Sequence, residues 1–134
     1  MSWLKDLLQS GDKIRVLAVT SNALDRISLE GIAARAHWNL KLAPNCETAA
    51  AALKHRPPAV IICDRDLPHI EWRETLRFLS LHAPASPIVV ISPDTDDRFW
   101  LEVIERGGYD VITRPFHENR VVTTVRQASD RTTK

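Results

Sequence analysis

The sequence predicts an α/β fold: a doubly wound sheet of five parallel strands with helices on both faces. Three observations lead there. The apolar runs at 14–20, 59–63 and 87–92 are nearly continuous rather than alternating, as in strands covered on both sides. The segments between them repeat apolar residues every three or four positions, as helices do. Strand and helix patterns also alternate along the chain, so that crossover helices join parallel strands with a right-handed turn. A length of 134 residues, 44% of them hydrophobic and 26% charged, suits one domain around one core.

Residues 2–10 place Trp3, Leu4, Leu7 and Leu8 at helical spacing before Gly11, predicting an amphipathic leading helix within residues 1–12 that packs on the domain or on a second copy. IRVLAVT, 14–20, is the first strand. A helix over 23–37 follows, with Leu24, Ile27, Leu29, Ile32 and Ala36 as its apolar side. NLKLA, 39–43, alternates like a short half-exposed strand. Asn45 caps the next helix, CETAAAALKH, which Pro57 and Pro58 end.

AVIIC is the third strand, IEWRETLRFLSLH a helix, and PIVVIS the fourth strand. DTDDRFWLEVIERGG carries acids at its start, an apolar stripe of Trp100, Val103 and Ile104, and glycines at its end, which suits a helix. DVIT is the last strand and HENRVVTTVRQAS the last helix. Residues 13–130 are thus expected to form one domain and 131–134 a polar tail with no second domain behind it, and the sequence shows no internal repeat.

Eighteen basic against 17 acidic residues leave a net charge of +1, so no global field draws the chain to nucleic acid or to an anionic membrane. Cys46 and Cys63 are too few for a disulfide framework. The N-terminus lacks the features of a secretory signal, and no apolar run approaches the roughly 18 residues of a membrane span. A soluble, cytoplasmic protein with no membrane span is expected.

VIICDRDLP, 60–68, ends an apolar strand in Asp64, with Arg65 and Asp66 behind it. By itself Asp64 reads as a turn opener before Pro68 or as a site in equal measure. In doubly wound sheets, however, ligands sit beyond the C-terminal strand ends, and Thr20, Ser21, Asp64, Ser92 and Arg114 all follow or end strands.

Three patterns in order, VIICDRDLP, VVIS and TRPF, together with the alternating elements, resemble the receiver domain of bacterial two-component response regulators over roughly residues 13–130. The resemblance implies a flavodoxin-like three-layer sandwich with strand order 2-1-3-4-5. It implies that Asp64 is the phosphoacceptor or its remnant, that Ser92 hydrogen-bonds the phosphoryl group, and that Arg114 stands where the family has lysine, before a cis Pro115. The backbone carbonyl of Asp66 corresponds to a metal ligand of the family.

Two features depart from that pattern. Thr20 and Ser21 occupy the positions of the family's acidic pair, and neutral hydroxyls are poor partners for Mg²⁺. Mg²⁺ binding is therefore expected to be weak or absent, with Asp64 its only evident ligand, Asp66 and Asp25 contributing carboxylates only after rearrangement, and no other cofactor. Asp64 and Arg114 sum to zero charge and are expected to pair directly. Val111 fills the switch position where the family carries Tyr or Phe, and Tyr109 falls in the preceding loop or on the other side of the strand.

Among the remaining residues, His69 sits beside the Asp64 loop and His117 in the first turn of the last helix. Trp72 is expected in the core. Trp100 is expected in the core or half-buried or, with Arg98, Arg120 and Arg126 as a rim, at a docking face made by the fourth helix, fifth strand and fifth helix.

The leading expectation is a stand-alone atypical receiver, not an enzyme beyond accepting a phosphoryl group from a donor. It would act by docking to a signalling protein, a histidine kinase or an effector, with Mg²⁺-dependent phosphorylation lost or weakened. A homodimer through the fourth or fifth helix or the leading helix also fits. Two alternatives stand beside it: a working phosphorelay receiver, and a flavodoxin-like small-molecule binder, against which VTSNALD lacks a glycine-rich phosphate loop.

Overall fold

The computed structural model describes residues 13–132, so the predicted helix carrying Trp3, Leu4, Leu7 and Leu8 lies outside the described residues. Five strands, β1 (Ile14–Val19), β2 (Trp38–Ala43), β3 (Val60–Asp64), β4 (Ile88–Ser92) and β5 (Asp110–Thr113), alternate with α1 (Ala23–Ala36), α2 (Cys46–Leu53), α3 (Trp72–His82), α4 (Asp97–Glu105) and α5 (Glu118–Thr132). The strands form one parallel sheet in the order β2-β1-β3-β4-β5. The expected architecture is the one observed.

Both faces of the sheet are covered, which is why β3 and β4 are buried at every position. Leu17, Val19, Ile61, Cys63, Val90 and Val111 point to one face and pack against α2, α3 and α4 through Leu53, Leu76, Leu79 and Val103. Their neighbours Val16, Ala18, Ile62, Val89 and Ile112 point to the other, against Leu29 and Ile32 of α1 and Val121 and Val125 of α5. The two-residue period of a strand sorts them. Cys63 is deep in this core, and burial pushes its thiol up to about 12, so it acts as a small apolar residue.

The helix starts follow their sequence signals. Asn22 accepts the backbone N–H of Asp25 at 3.0 Å, Asn45 that of Thr48 at 2.8 Å, and Asp96 that of Phe99 at 2.8 Å. His117 lies one residue before α5 rather than inside it, its carbonyl accepting Val121 N–H. At the other end α5 runs on to Thr132, so the backbone at Arg131 and Thr132 is helical.

Two apolar sides differ from expectation. On α1, Leu24 and Ile27 are 75% and 67% exposed, and the inward stripe is Asp25, Leu29, Ile32 and Ala33. At 3.6 residues per turn, Ile27 lies roughly 200° around the helix from Leu29, so the two cannot share a side. On α4, Val103 is buried and Phe99 packs behind it, edge-on to the buried Trp72 ring at 5.0 Å, while Trp100 is 43% exposed.

The turn from α4 into β5 depends on two glycines. Gly107 adopts φ +93°, the left-handed region. At Gly108 a Cβ would stand 2.5 Å from Val103 Cγ1 and 3.0 Å from the Val103 carbonyl oxygen. Gly108→Ala is expected to cost about 1–3 kcal/mol by overpacking, readable as a lower urea midpoint with an unchanged slope.

An ion-pair chain ties α3 to α4: Arg73 reaches Glu102, which also takes Arg106 at 2.8 Å. The hydrogen bonds from Arg73, and then from Arg106, hold the Glu102 carboxyl down at about 2, against an ordinary 4.5. A carboxyl depressed in the folded state stabilises above its unfolded value, and that contribution is lost as pH falls through the folded one. Glu102→Gln should therefore flatten the acid dependence of stability between about pH 4.5 and about 2, measured by thermal unfolding across that window.

Candidate functional site

Parallel pairing brings the C-terminal strand ends to one edge. Asp64 is opposite Ile91 and Ser92 opposite Thr113, while Thr20 follows β1 and Arg114 follows β5. Backbone bonds fix these ends: Thr20 N–H to the Ala43 carbonyl at 2.9 Å, Arg65 N–H to Ile91 at 2.9 Å, and Arg114 N–H to Ser92 at 3.1 Å. The Arg114–Pro115 bond is cis, as expected.

Asp64 is 4% exposed. Its Oδ1 accepts the Asp66 backbone N–H at 2.9 Å and lies 3.0 Å from Arg114 Nη2. The expected Asp64–Arg114 pair is therefore present, but it is not the main use of the guanidinium. Arg114 grips Asp25, with Nε 2.9 and 3.2 Å from the two carboxylate oxygens and Nη2 2.6 Å from Oδ2. Such a fork is the strong form of an ion pair. Hydrogen bonds donated to Asp25 first, then to Asp64, raise the Arg114 pKa despite the opposing effect of burial.

Asp25 thus enters the site without any rearrangement, contrary to expectation. It stands at the top of the inward stripe of α1 and is 4% exposed. Asp66, by contrast, is exposed and touches Asp64 through its backbone N–H. The charge balance changes accordingly, since two buried carboxylates and one guanidinium sum to −1 rather than zero. Thr20, fully buried, places Oγ1 between the carboxylates, 3.3 Å from Asp25 Oδ2 and 3.4 Å from Asp64 Oδ2. These are long for O–H···O bonds. Ser21 is exposed and points to neither acid through a hydrogen bond.

Ser92 is also engaged. Its hydroxyl donates to the Asp94 carbonyl and accepts from Arg65 Nη1 at 3.1 Å. Arg65 lies with its guanidinium carbon 4.1 Å from the centre of the Phe99 ring, a cation–π contact that anchors it to α4. Sequence reasoning passed over Arg65, although its place between two aspartates at a strand end was a signal. Asp25 carried a signal too, as the one acid in register with Leu29 and Ile32.

The donor set does not fit a divalent cation. The two carboxylates that face each other already share a guanidinium within hydrogen-bond reach of both, and the side chain between them is a neutral hydroxyl rather than a third carboxylate. Among the described residues, no three of the His, Cys, Asp and Glu side chains group as metal ligands do.

At the switch position Val111 is buried in the core, and Tyr109 lies before β5, packed against the opposite face of the sheet. Trp100 donates Nε1–H to Asp110 at 3.1 Å, and Arg98, Arg120 and Arg126 are exposed. His69, exposed at φ +67°, lines a groove of about 560 Å³ with Ser21, Cys46, Leu67 and Ile70, beside the site.

Residues 16–126 match the family described as response regulator receiver domain. The chain belongs to that family. This receiver is 27% identical over 121 residues to the uncharacterized transcriptional regulatory protein YvcP of Bacillus subtilis, covering 88% of this chain and 49% of YvcP. It is 27% identical to the chemotaxis protein CheY of Thermotoga maritima over 116 residues, 86% of this chain and 97% of CheY.

The CheY-like receiver domain protein of Methanospirillum hungatei superposes with a TM-score of 0.80 at 15% identity, over 91% of this chain and 98% of that one. The receiver spans about half or less of the transcriptional regulators it resembles, 49% of YvcP and 41% of the Mycobacterium tuberculosis protein TcrX. It is a receiver domain of two-component signalling, and no helix among the described residues is long and apolar enough to cross a membrane.

Proposed function

We propose that this receiver acts by docking to a signalling partner, with its phosphoacceptor site held shut by Arg114 rather than opened to Mg²⁺ and phosphate. The observation that carries the reading is the Asp25–Arg114–Asp64 bridge, in which one guanidinium forks onto Asp25 and still lies 3.0 Å from Asp64.

Attack by an Asp64 oxygen on phosphorus needs a free carboxylate oxygen and cations that offset the developing charge. Here Oδ1 is taken by the Asp66 N–H and Arg114, and Asp25 neutralises the guanidinium that would meet the incoming phosphoryl group. Ser92 is turned onto the Asp94 carbonyl and Arg65, and Val111 has no ring to swing. Docking would use α4, β5 and α5, where Trp100 and Leu101 are 43% and 49% exposed. Aromatic residues rimmed by Arg98, Arg120 and Arg126 have the composition of binding hot spots.

The test is intact mass after incubation with Mg²⁺ and acetyl phosphate or phosphoramidate, for the wild type beside Asp64→Asn. No phosphoryl gain in either is expected. A stoichiometric gain in the wild type alone would overturn the reading and make Asp64 a working acceptor for a histidine kinase.

A further inference from the structure

At the opposite edge of the sheet, beside the N-terminal ends of β1 and β2, a pocket of about 190 Å³ is lined by Arg15, Asn39, Lys41 and Arg56 over an apolar floor that includes Leu17 and Leu53. Three cations line it and no acid does. Arg35, Arg73, Arg106 and Arg114 are each held by a carboxylate, but Arg15, Lys41 and Arg56 are in no ion pair among the described residues.

Arg15 is tied to the backbone instead, its Nη1 donating to the Pro57 carbonyl and its Nη2 to that of Arg56, both at 2.8 Å. That uses two of the five N–H donors of a guanidinium and fixes its plane at the pocket wall. Burial, and after it the neighbouring charge of Arg56, lowers the Arg15 pKa, as expected where like charges meet without a counter-ion.

We propose that this pocket binds a small phosphate-type anion. Fixed guanidinium donors match phosphate oxygens in a planar fork, Lys41 adds a point charge, and the Asn39 amide offers a further donor. The volume suits a phosphate or pyrophosphate group. The pocket shares no residue with the Asp64 site, so the proposal stands apart from the docking function.

The test is a titration of the uniformly ¹⁵N-labelled full chain with sodium pyrophosphate and, separately, with O-phosphoserine, at ionic strength matched with sodium chloride. Saturable shifts of the Arg15, Asn39, Lys41 and Arg56 amides are expected, with affinity falling about tenfold or more in Lys41→Ala and in Arg56→Ala, since each removes a charge-assisted contact. Asp64→Asn should bind as the wild type does. Tighter binding of pyrophosphate would assign a free polyphosphate, and tighter binding of O-phosphoserine a phosphomonoester group on another molecule. Shifts that rise without saturation and match those of chloride, or unchanged affinity in both alanine variants, would overturn the proposal. Both variants alter exposed side chains, and the dispersion of their amide spectra checks the fold.

Discussion

Arg114→Ala should lower the unfolding free energy at pH 7 by about 3 kcal/mol, near the lower end of what breaking a buried ion pair costs. The guanidinium is partly open, with 23% of its side chain exposed, so water recovers some of the loss. The two acids it leaves behind are each 5% exposed at the side chain and face one another across Thr20. Urea unfolding of the variant is the measurement.

A second substitution makes the argument specific. Asp25→Asn in the Arg114→Ala background removes one of the two stranded charges and should restore part of the stability. If Arg114 mattered only through packing, the two changes would add without coupling. Arg114→Lys should fall between wild type and alanine, because an ammonium keeps the charge but cannot fork onto Asp25 while reaching Asp64.

Thr20→Asp should produce the other large change, a stability that depends on Mg²⁺. The wild-type side chain is fully buried and sits 3.3 and 3.4 Å from two carboxylate oxygens. A third carboxylate there has one guanidinium to share with Asp25 and Asp64. Without metal, a loss of about 3 kcal/mol is expected, on the scale of an uncompensated buried charge.

Three converging carboxylates would, however, supply the oxygen ligands that the native site lacks. Bound Mg²⁺ at 100 times its dissociation constant would then return about 2.7 kcal/mol by mass action. Thermal unfolding with and without Mg²⁺ distinguishes the cases: the variant's midpoint should rise with the metal and the wild type's should not. A wild-type midpoint that rises equally would mean that Asp25 and Asp64 release Arg114 for a cation, against the closed-site reading.

The legible parts of this protein were those written in short-range patterns. Continuous apolar runs at β1, β3 and β4 had to be strands buried on both faces, and once parallel they had to bring Asp64, Ser92 and Arg114 to one edge. Asn45 and Asp96 signalled helix starts because an oxygen on a short side chain can reach an unbonded N–H.

The misread parts were matters of rotation and rotamer. Apolar composition places Leu24 and Ile27 inward, although Asp25, Leu29 and Ile32 form the stripe that meets the sheet. Trp100 belongs by composition to the apolar stripe of Val103, but Phe99 takes the inward place, and Trp100 at 43% exposure keeps only its half-buried or docking-face reading. Composition suggested which residues prefer burial, but the turn angle of the helix selected among them.

The sequence by itself determined the element order, the parallel sheet and the meeting of Asp64, Ser92 and Arg114, because strand period, helix period and crossover handedness are properties of local chain. Only the tertiary structure decided that Arg114 forks onto Asp25, that Arg65 holds Ser92, and that Arg15, Lys41 and Arg56 share an acid-free pocket. Those outcomes depend on which of several competing partners lies within about 3 Å after the helices have packed, and no local pattern encodes that choice.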